Sequence, residues 1–176
     1  VGFQSSDPAL GWGVGAWGAE GWNDPRDASL STINTEATNW SLQLWGDDVL
    51  INNRGGQLYY WDTSAGNSAR AVLASSLGGA SGIPTQIRTI AVSFPDRHLI
   101  VGGAIPLSGG GIDPMLVRFS NQEDFAVFTP TSTNTAGDQR LEVGEKIICM
   151  IPTKDEMFIQ TDEAVYGMTF VGPPFT

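Results

Sequence analysis

Three stretches of the chain follow one plan: an apolar strand, a tight polar turn, a second strand, a turn carrying glycine or acid, and a third strand with aromatic residues. The first runs from Trp40-Ser41-Leu42-Gln43-Leu44-Trp45-Gly46 through a turn at Asp47-Asp48 to Val49-Leu50-Ile51. It turns again at Asn53-Arg54-Gly55-Gly56 and closes on Leu58-Tyr59-Tyr60-Trp61. The second takes Arg88 to Phe94, turns at Pro95-Asp96-Arg97, returns through Leu99-Ile100-Val101 and reaches Met115-Leu116-Val117-Arg118-Phe119 after a glycine-rich loop. The third takes Lys146 to Ile151, turns at Pro152-Thr153-Lys154-Asp155, and continues with Met157-Phe158-Ile159-Gln160. After Asp162-Glu163 it ends on Val165-Tyr166-Gly167-Met168-Thr169-Phe170. Units recurring at roughly 45 to 55 residues, each a small antiparallel meander, predict an all-β fold of propeller-like blades rather than a sandwich. The blades are expected at 40–62, 87–120 and 145–172, after a Gly/Trp-rich loop and linker at 1–39.

Composition agrees with an all-β reading. Glycine (22) and proline (10) punctuate short runs of β-branched and aromatic residues within 176 residues, enough chain for one proper core. The one helical candidate is 68–77, where alanines favour a turn or two before Gly78-Gly79 stops them. Propeller rings typically take about 4 to 8 blades, so three are expected to belong to a longer polypeptide or to be completed by other chains. No stretch approaches the roughly 20 apolar residues of a membrane helix, so no membrane anchor is expected.

Residues 1–39 differ in character. Trp12, Trp17 and Trp22 recur at every fifth position with glycines between them, a spacing that fits neither a helix nor a strand. Such a loop is expected to dock its tryptophans on the blades or on a neighbouring subunit, with a glycan-binding aromatic platform as the alternative. Gly102-Gly103 and Gly109-Gly110-Gly111 flank Ile105-Pro106-Leu107, a loop where contacts to partners are expected; residues 120–144 read as a polar crossing to the third blade.

Lys+Arg number 9 against 19 Asp+Glu, a formal net charge of −10, which argues against a sequence-independent grip on nucleic acid. A conduit through which DNA slides without sticking would nonetheless benefit from such a surface, as would any soluble protein. Candidate chemistry is sparse. His98, the sole histidine, reads as a solvated residue beside a hairpin tip, and Cys149, the sole cysteine, as a small buried hydrophobe. One His and one Cys in separate blades do not suit zinc. The acidic pairs Asp47-Asp48, Asp155-Glu156 and Asp162-Glu163 fall at turns, where carboxylates bond to nearby backbone. A glycosidase dyad drawn from two blades stays open as an alternative. Asn53-Arg54-Gly55-Gly56 reads as a hairpin turn rather than a phosphate cradle, and Asn39-Trp40-Ser41 fits the short glycosylation pattern. No catalytic, cofactor-binding or metal-binding residue is assigned, and no cofactor.

Several of these segments resemble the structural proteins of short-tailed, podovirus-type bacteriophages that build the tail nozzle or stabilise the head–tail junction. The resemblance rests on Trp22-Asn23-Asp24-Pro25-Arg26, on Trp40 to Asp62, on Asp113-Pro114-Met115 to Glu123, on Thr129-Pro130-Thr131 to Leu141, and on Phe170-Val171-Gly172-Pro173-Pro174-Phe175. It implies a propeller-containing subunit repeated in a ring, usually a hexamer, around a channel that conducts the genome out of the capsid. Implied partners are copies of itself, the portal or adaptor and other tail proteins, with double-stranded DNA passing unbound. The implied place is the virion tail, assembled in the bacterial cytoplasm. The expectation is a non-enzymatic virion structural protein. Two alternatives remain: a carbohydrate-binding or glycan-cleaving propeller at a host surface, using Trp12, Trp17, Trp22 or Trp45 as stacking platforms, and a cellular repeat scaffold.

Overall fold

The structure, a computed structural model, describes residues 39–94 and 96–172. The tryptophan loop expected in 1–38 lies outside the described residues, as do Pro95 of the expected second-blade turn and residues 173–176.

The described chain forms three open antiparallel sheets, each a meander in which neighbours in sequence are neighbours in space. The first contains β1 (Trp40–Trp45), β2 (Asp48–Asn53), β3 (Leu58–Trp61) and β4 (Val72–Leu73). The second contains β5 (Ile87–Val92), β6 (Leu99–Ala104), β7 (Asp113–Phe119) and β8 (Gly137–Arg140). The third contains β9 (Ile147–Pro152), β10 (Met157–Thr161) and β11 (Val165–Met168).

Two short strands depart from expectation. The segment read as helical, 68–77, contains β4, which pairs Leu73 with Tyr59 and Val72 with Tyr60, followed only by a 3-10 turn at Ala74–Ser76. Intrinsic helix propensity, even alanine's, is readily overridden by tertiary context, and an open strand edge beside this segment offers hydrogen bonds that a lone helical turn does not. The polar crossing 120–144 supplies β8, which pairs along β7 from Leu116 to Phe119. It also supplies Phe128, fully buried, and Phe125, packed against the same core.

The sheets stand in a row. β5 lies against β1 and β2, and β9 lies against β5 and β6. Leu50 and Leu58 of the first sheet meet Ile90, Val92, Leu99 and Val101 of the second, with Phe128 completing that core. On the other face of the second sheet, Ala91, Ile100, Met115 and Val117 meet Ile147, Met150, Met157 and Ile159 of the third. Each of these side chains other than Ala91 contributes roughly 1.5 to 3 kcal/mol by leaving water, so these layers are the main source of cohesion between sheets.

Two glycines of β6 set the spacing of that second layer. A Cβ on Gly102 would stand 3.0 Å from Met150 Sδ and 3.2 Å from Ile147 Cγ2, so its absence admits β9 to close approach. Gly103, at φ 62°, carries the register shift in the β6–β7 pairing, and a bulge there requires a residue at ease with positive φ. Both lie inside a strand that is buried at every position and leads directly into the loop at 105–112.

Candidate functional site

His98 immediately precedes β6 and is buried, 4% exposed, where the sequence reads as a solvated turn. Its Nε2 lies 3.0 Å from Thr135 Oγ1. That hydroxyl donates to Asn121 Oδ1 at 3.2 Å and accepts from the Gln122 N–H at 2.8 Å. With the hydroxyl proton already committed, Nε2 is the donor to Thr135, and neutral His98 carries its proton there. Phe170 packs on the ring with centroids 4.7 Å apart. Burial lowers the His98 pKa, while Asp96 and Glu123 act in the opposite direction. The side chain is therefore held neutral at physiological pH, as a joint between the second sheet and the loop carrying Thr135.

Beside His98 is a cavity of about 140 Å³ lined by Ser93, Ile100, Phe119, Met157, Met168 and Phe170, among others. Small-molecule sites usually occupy about 300 to 1,000 Å³, so this space is too small for a sugar or a cofactor. A wider groove of about 620 Å³ runs between the edge strands β8 and β11, with Val117, Phe119, Ile159 and Tyr166 in its lining. Arg140 in that groove is committed to Asp113, Nε to Oδ2 at 2.9 Å, and the Tyr166 hydroxyl accepts the Val143 N–H at 2.7 Å.

One acid of the first pair and one of the third bond to neighbouring groups through their carboxylates, Asp48 from the start of β2 and Asp162 from a turn. Asp48 accepts the Tyr60 hydroxyl at 2.6 Å and the Thr63 N–H at 3.0 Å, which together lower its pKa. The same bond, with burial, raises Tyr60 to about 12. Asp162 accepts the N–H groups of Glu145 at 2.8 Å and Lys146 at 3.3 Å, with a lowered pKa for that reason. Glu156 is engaged through its backbone, which bonds in both directions with Thr153. Among the described residues no group of three or more His, Cys, Asp or Glu is placed to hold a metal ion.

Cys149 is half-buried rather than buried, its thiol 3.6 Å from Gln160 Oε1 on the neighbouring strand. The β9 alternation turns Ile147 and Met150 inward and leaves Cys149 on the outward face. Trp45 is not an open stacking platform. It packs against the first core layer, edge-on to Phe125 with centroids 5.5 Å apart, and the Arg97 guanidinium covers its ring at 5.1 Å. Trp12, Trp17 and Trp22 lie outside the described residues.

Sequence reasoning missed Arg118. It points into the first core layer at 2% exposure and donates to three carbonyls: Gly82 at 2.7 Å, Ile105 at 3.1 Å and Phe128 at 3.3 Å. It ties three loops to the second sheet; a lone charge inside an apolar strand was the available signal.

The least expected feature is the outward face of the first sheet. In β1 three apolar residues point away from the core, Trp40 at 48%, Leu42 at 60% and Leu44 at 68% exposure, while Ser41, Gln43 and Trp45 take the inward side. The register sets Leu44 opposite Val49, Leu42 opposite Ile51 and Trp40 opposite Asn53, and then Val49 and Ile51 opposite Trp61 and Tyr59 of β3. The far face of the third sheet is similar, exposing Ile151, Phe158 and Val165. The chain matches no protein-family model, no curated protein and no solved structure.

Proposed function

We propose that this chain is a non-enzymatic virion structural protein, part of the tail nozzle or head–tail junction channel through which a phage genome leaves, and that its three sheets are successive propeller blades. The observation that carries the reading is the row of meanders in which β5 lies against β1 and β9 against β5. Propeller blades succeed one another in this way, each opening on the strand nearest the axis and packing face to face on the next. A rigid β wall suits a conduit. The excess of 19 acids over 9 basic residues suits one through which phosphate must pass without adhering. The resemblance of the segments around Trp40–Asp62 and Asp113–Glu123 to nozzle and junction proteins points the same way, with a ring of copies, the portal or adaptor and other tail proteins as partners.

Trp45 is covered and the His98 cavity is too small for a sugar, which leaves the groove between β8 and β11, about 620 Å³, as the one described space of the size a carbohydrate reading needs. The test is electron microscopy, without imposed symmetry, of the native particle containing this chain. A ring stacked under a portal, with a pore wide enough for duplex DNA, is the expected result. A free monomer would overturn the proposal.

A further inference from the structure

The second sheet shows what the faces of this fold are made for: it has a sheet on each side, and both its faces are apolar and buried. The first and third sheets each have one such contact and one face that no described sheet covers. Both open faces are nonetheless composed for contact. On the first sheet the row is Trp40, Leu42, Leu44, Val49, Ile51, Tyr59 and Trp61, and on the third it is Ile151, Phe158 and Val165, with the Cys149–Gln160 pair beside them. β1 places leucines outward and Ser41 and Gln43 inward, the reverse of a strand whose outer side is meant for water.

We propose that the outward face of the third sheet docks on the outward face of the first sheet of a second copy, head to tail. This continues between chains the stacking that already joins sheet to sheet within one. Three observations favour a second copy as the occupant. The internal relation between successive sheets is used twice in the same direction, so the two open ends are the two halves of one further contact, not two copies of the same half. Charge also selects these faces: two copies of net charge −10 repel, yet among the described residues no strand residue on either face is charged, although the Glu156 carboxylate comes close to Gly167 on the third sheet's face. Area sets the strength. Trp40, Leu42 and Leu44 alone expose on the order of 300 Å² of apolar surface, against about 800 Å² per partner in a standard interface. One contact is therefore weak and concentration-dependent, and it persists where rotation closes the series into a ring and each copy uses both ends. The inference rests on the blade reading but not on the virion assignment.

Two variants of the full chain test it. Leu42→Glu with Leu44→Glu charges the first sheet's open face, and Ile151→Glu with Val165→Glu charges the third's. All four side chains are exposed, so circular dichroism should be unchanged; if either pair fails to fold, glutamine replaces glutamate. Sedimentation velocity is run from about 1 µM to 1 mM, the range in which a contact below standard size dissociates. The wild-type chain should self-associate, and each variant alone should lose at least about tenfold in association constant. An equimolar mixture should form one-to-one heterodimers and nothing larger, because one good face survives on each variant. A wild-type chain that stays monomeric throughout overturns the proposal, its faces being covered by other parts of its own chain or by a different partner. So does either variant that associates as the wild type does, or a mixture that remains monomeric. A wild-type ring that survives both variants overturns the docking while leaving the conduit reading intact.

Discussion

The second sheet and the first are built from similar strands and end in opposite situations. All six residues of β6, Leu99–Ala104, are buried, because a sheet stands on each side of it. β1 alternates between exposed and half-buried, and its exposed positions are the apolar ones. In the second sheet hydrophobicity is spent on the cohesion of one chain. In the first, half of it faces outward and adds nothing to that cohesion. Apolar alternation therefore reports that a face meets something, without saying whether the partner is the same molecule.

The sharpest way to break the comparison is to truncate one phenylalanine on each side of it. Phe128 is fully buried between the first and second sheets, with the Arg118 guanidinium 5.7 Å from its ring centroid. Phe128→Ala should cost about 3 to 5 kcal/mol, the sum of lost transfer energy and a cavity that strands and loops cannot collapse into. Phe158→Ala, on the open face of the third sheet at 39% exposure, should cost about 1 kcal/mol or less in the monomer. Denaturant unfolding of both variants at one dilute concentration checks the ratio; equal losses would mean that the third sheet's outward face is covered.

The close approach of the second and third sheets gives a smaller effect. Gly102→Val would drive a branched side chain toward Met150, Ile147 and Thr89, and overpacking of this kind costs about 1 to 3 kcal/mol. Met150→Ala in the same chain should recover part of that loss by making room. Losses that simply add would place the strain elsewhere.

His98 probes the joint between the second sheet and the Thr135 loop. Its folded pKa lies below the ordinary 6.5, so the unfolded chain takes up a proton first as pH falls. The stability it contributes is present above about 6.5 and is lost as pH falls toward the folded value. Asp96 and Glu123 oppose the shift, and Arg97 is paired with Glu123 at 3.2 Å. His98→Gln, which keeps a donor for Thr135, should flatten the decline of melting temperature between about pH 6.5 and 5. Asp48 and Asp162 add a separate decline below about pH 4, since both carboxyls have lowered pKa values. A decline in the upper window that persists unchanged in the glutamine variant would remove His98 as its source.

Much of the architecture is legible in the residues. The strands of the first meander follow its β-branched, leucine and aromatic runs; its first turn falls at Gly46-Asp47, one residue before the Asp47-Asp48 expected, because Gly46 takes the positive φ there and Asp48 opens β2. β4 and β8 were not legible, since Val72–Leu73 and Gly137–Arg140 are too short or too polar to declare themselves and exist because an edge stands beside them. His98 and Cys149 were misplaced for related reasons. Neighbours far along the chain, Thr135 and Phe170, bury His98, while an alternation within β9 half-exposes Cys149. No local pattern records which side of a strand another part of the fold will cover.

The smallest predicted effect is the most discriminating. Leu44 is 68% exposed and opposite Val49 across the β1–β2 pair. Replacing a core leucine with a polar residue ordinarily costs several kcal/mol, whereas Leu44→Thr should change monomer stability by no more than about 0.5 kcal/mol, because threonine keeps the strand preference and little surface is lost from contact. The measurement belongs at low concentration, where only intrachain contacts count, and again at high concentration, where association stabilises the native state by mass action. Near-neutrality in the first and a loss in the second would place Leu44's hydrophobic contribution between chains. A loss of 2 kcal/mol or more when dilute, on the scale of a buried leucine, would place it within one chain, and the difference between β1 and β6 would then be only in which part of the molecule does the covering.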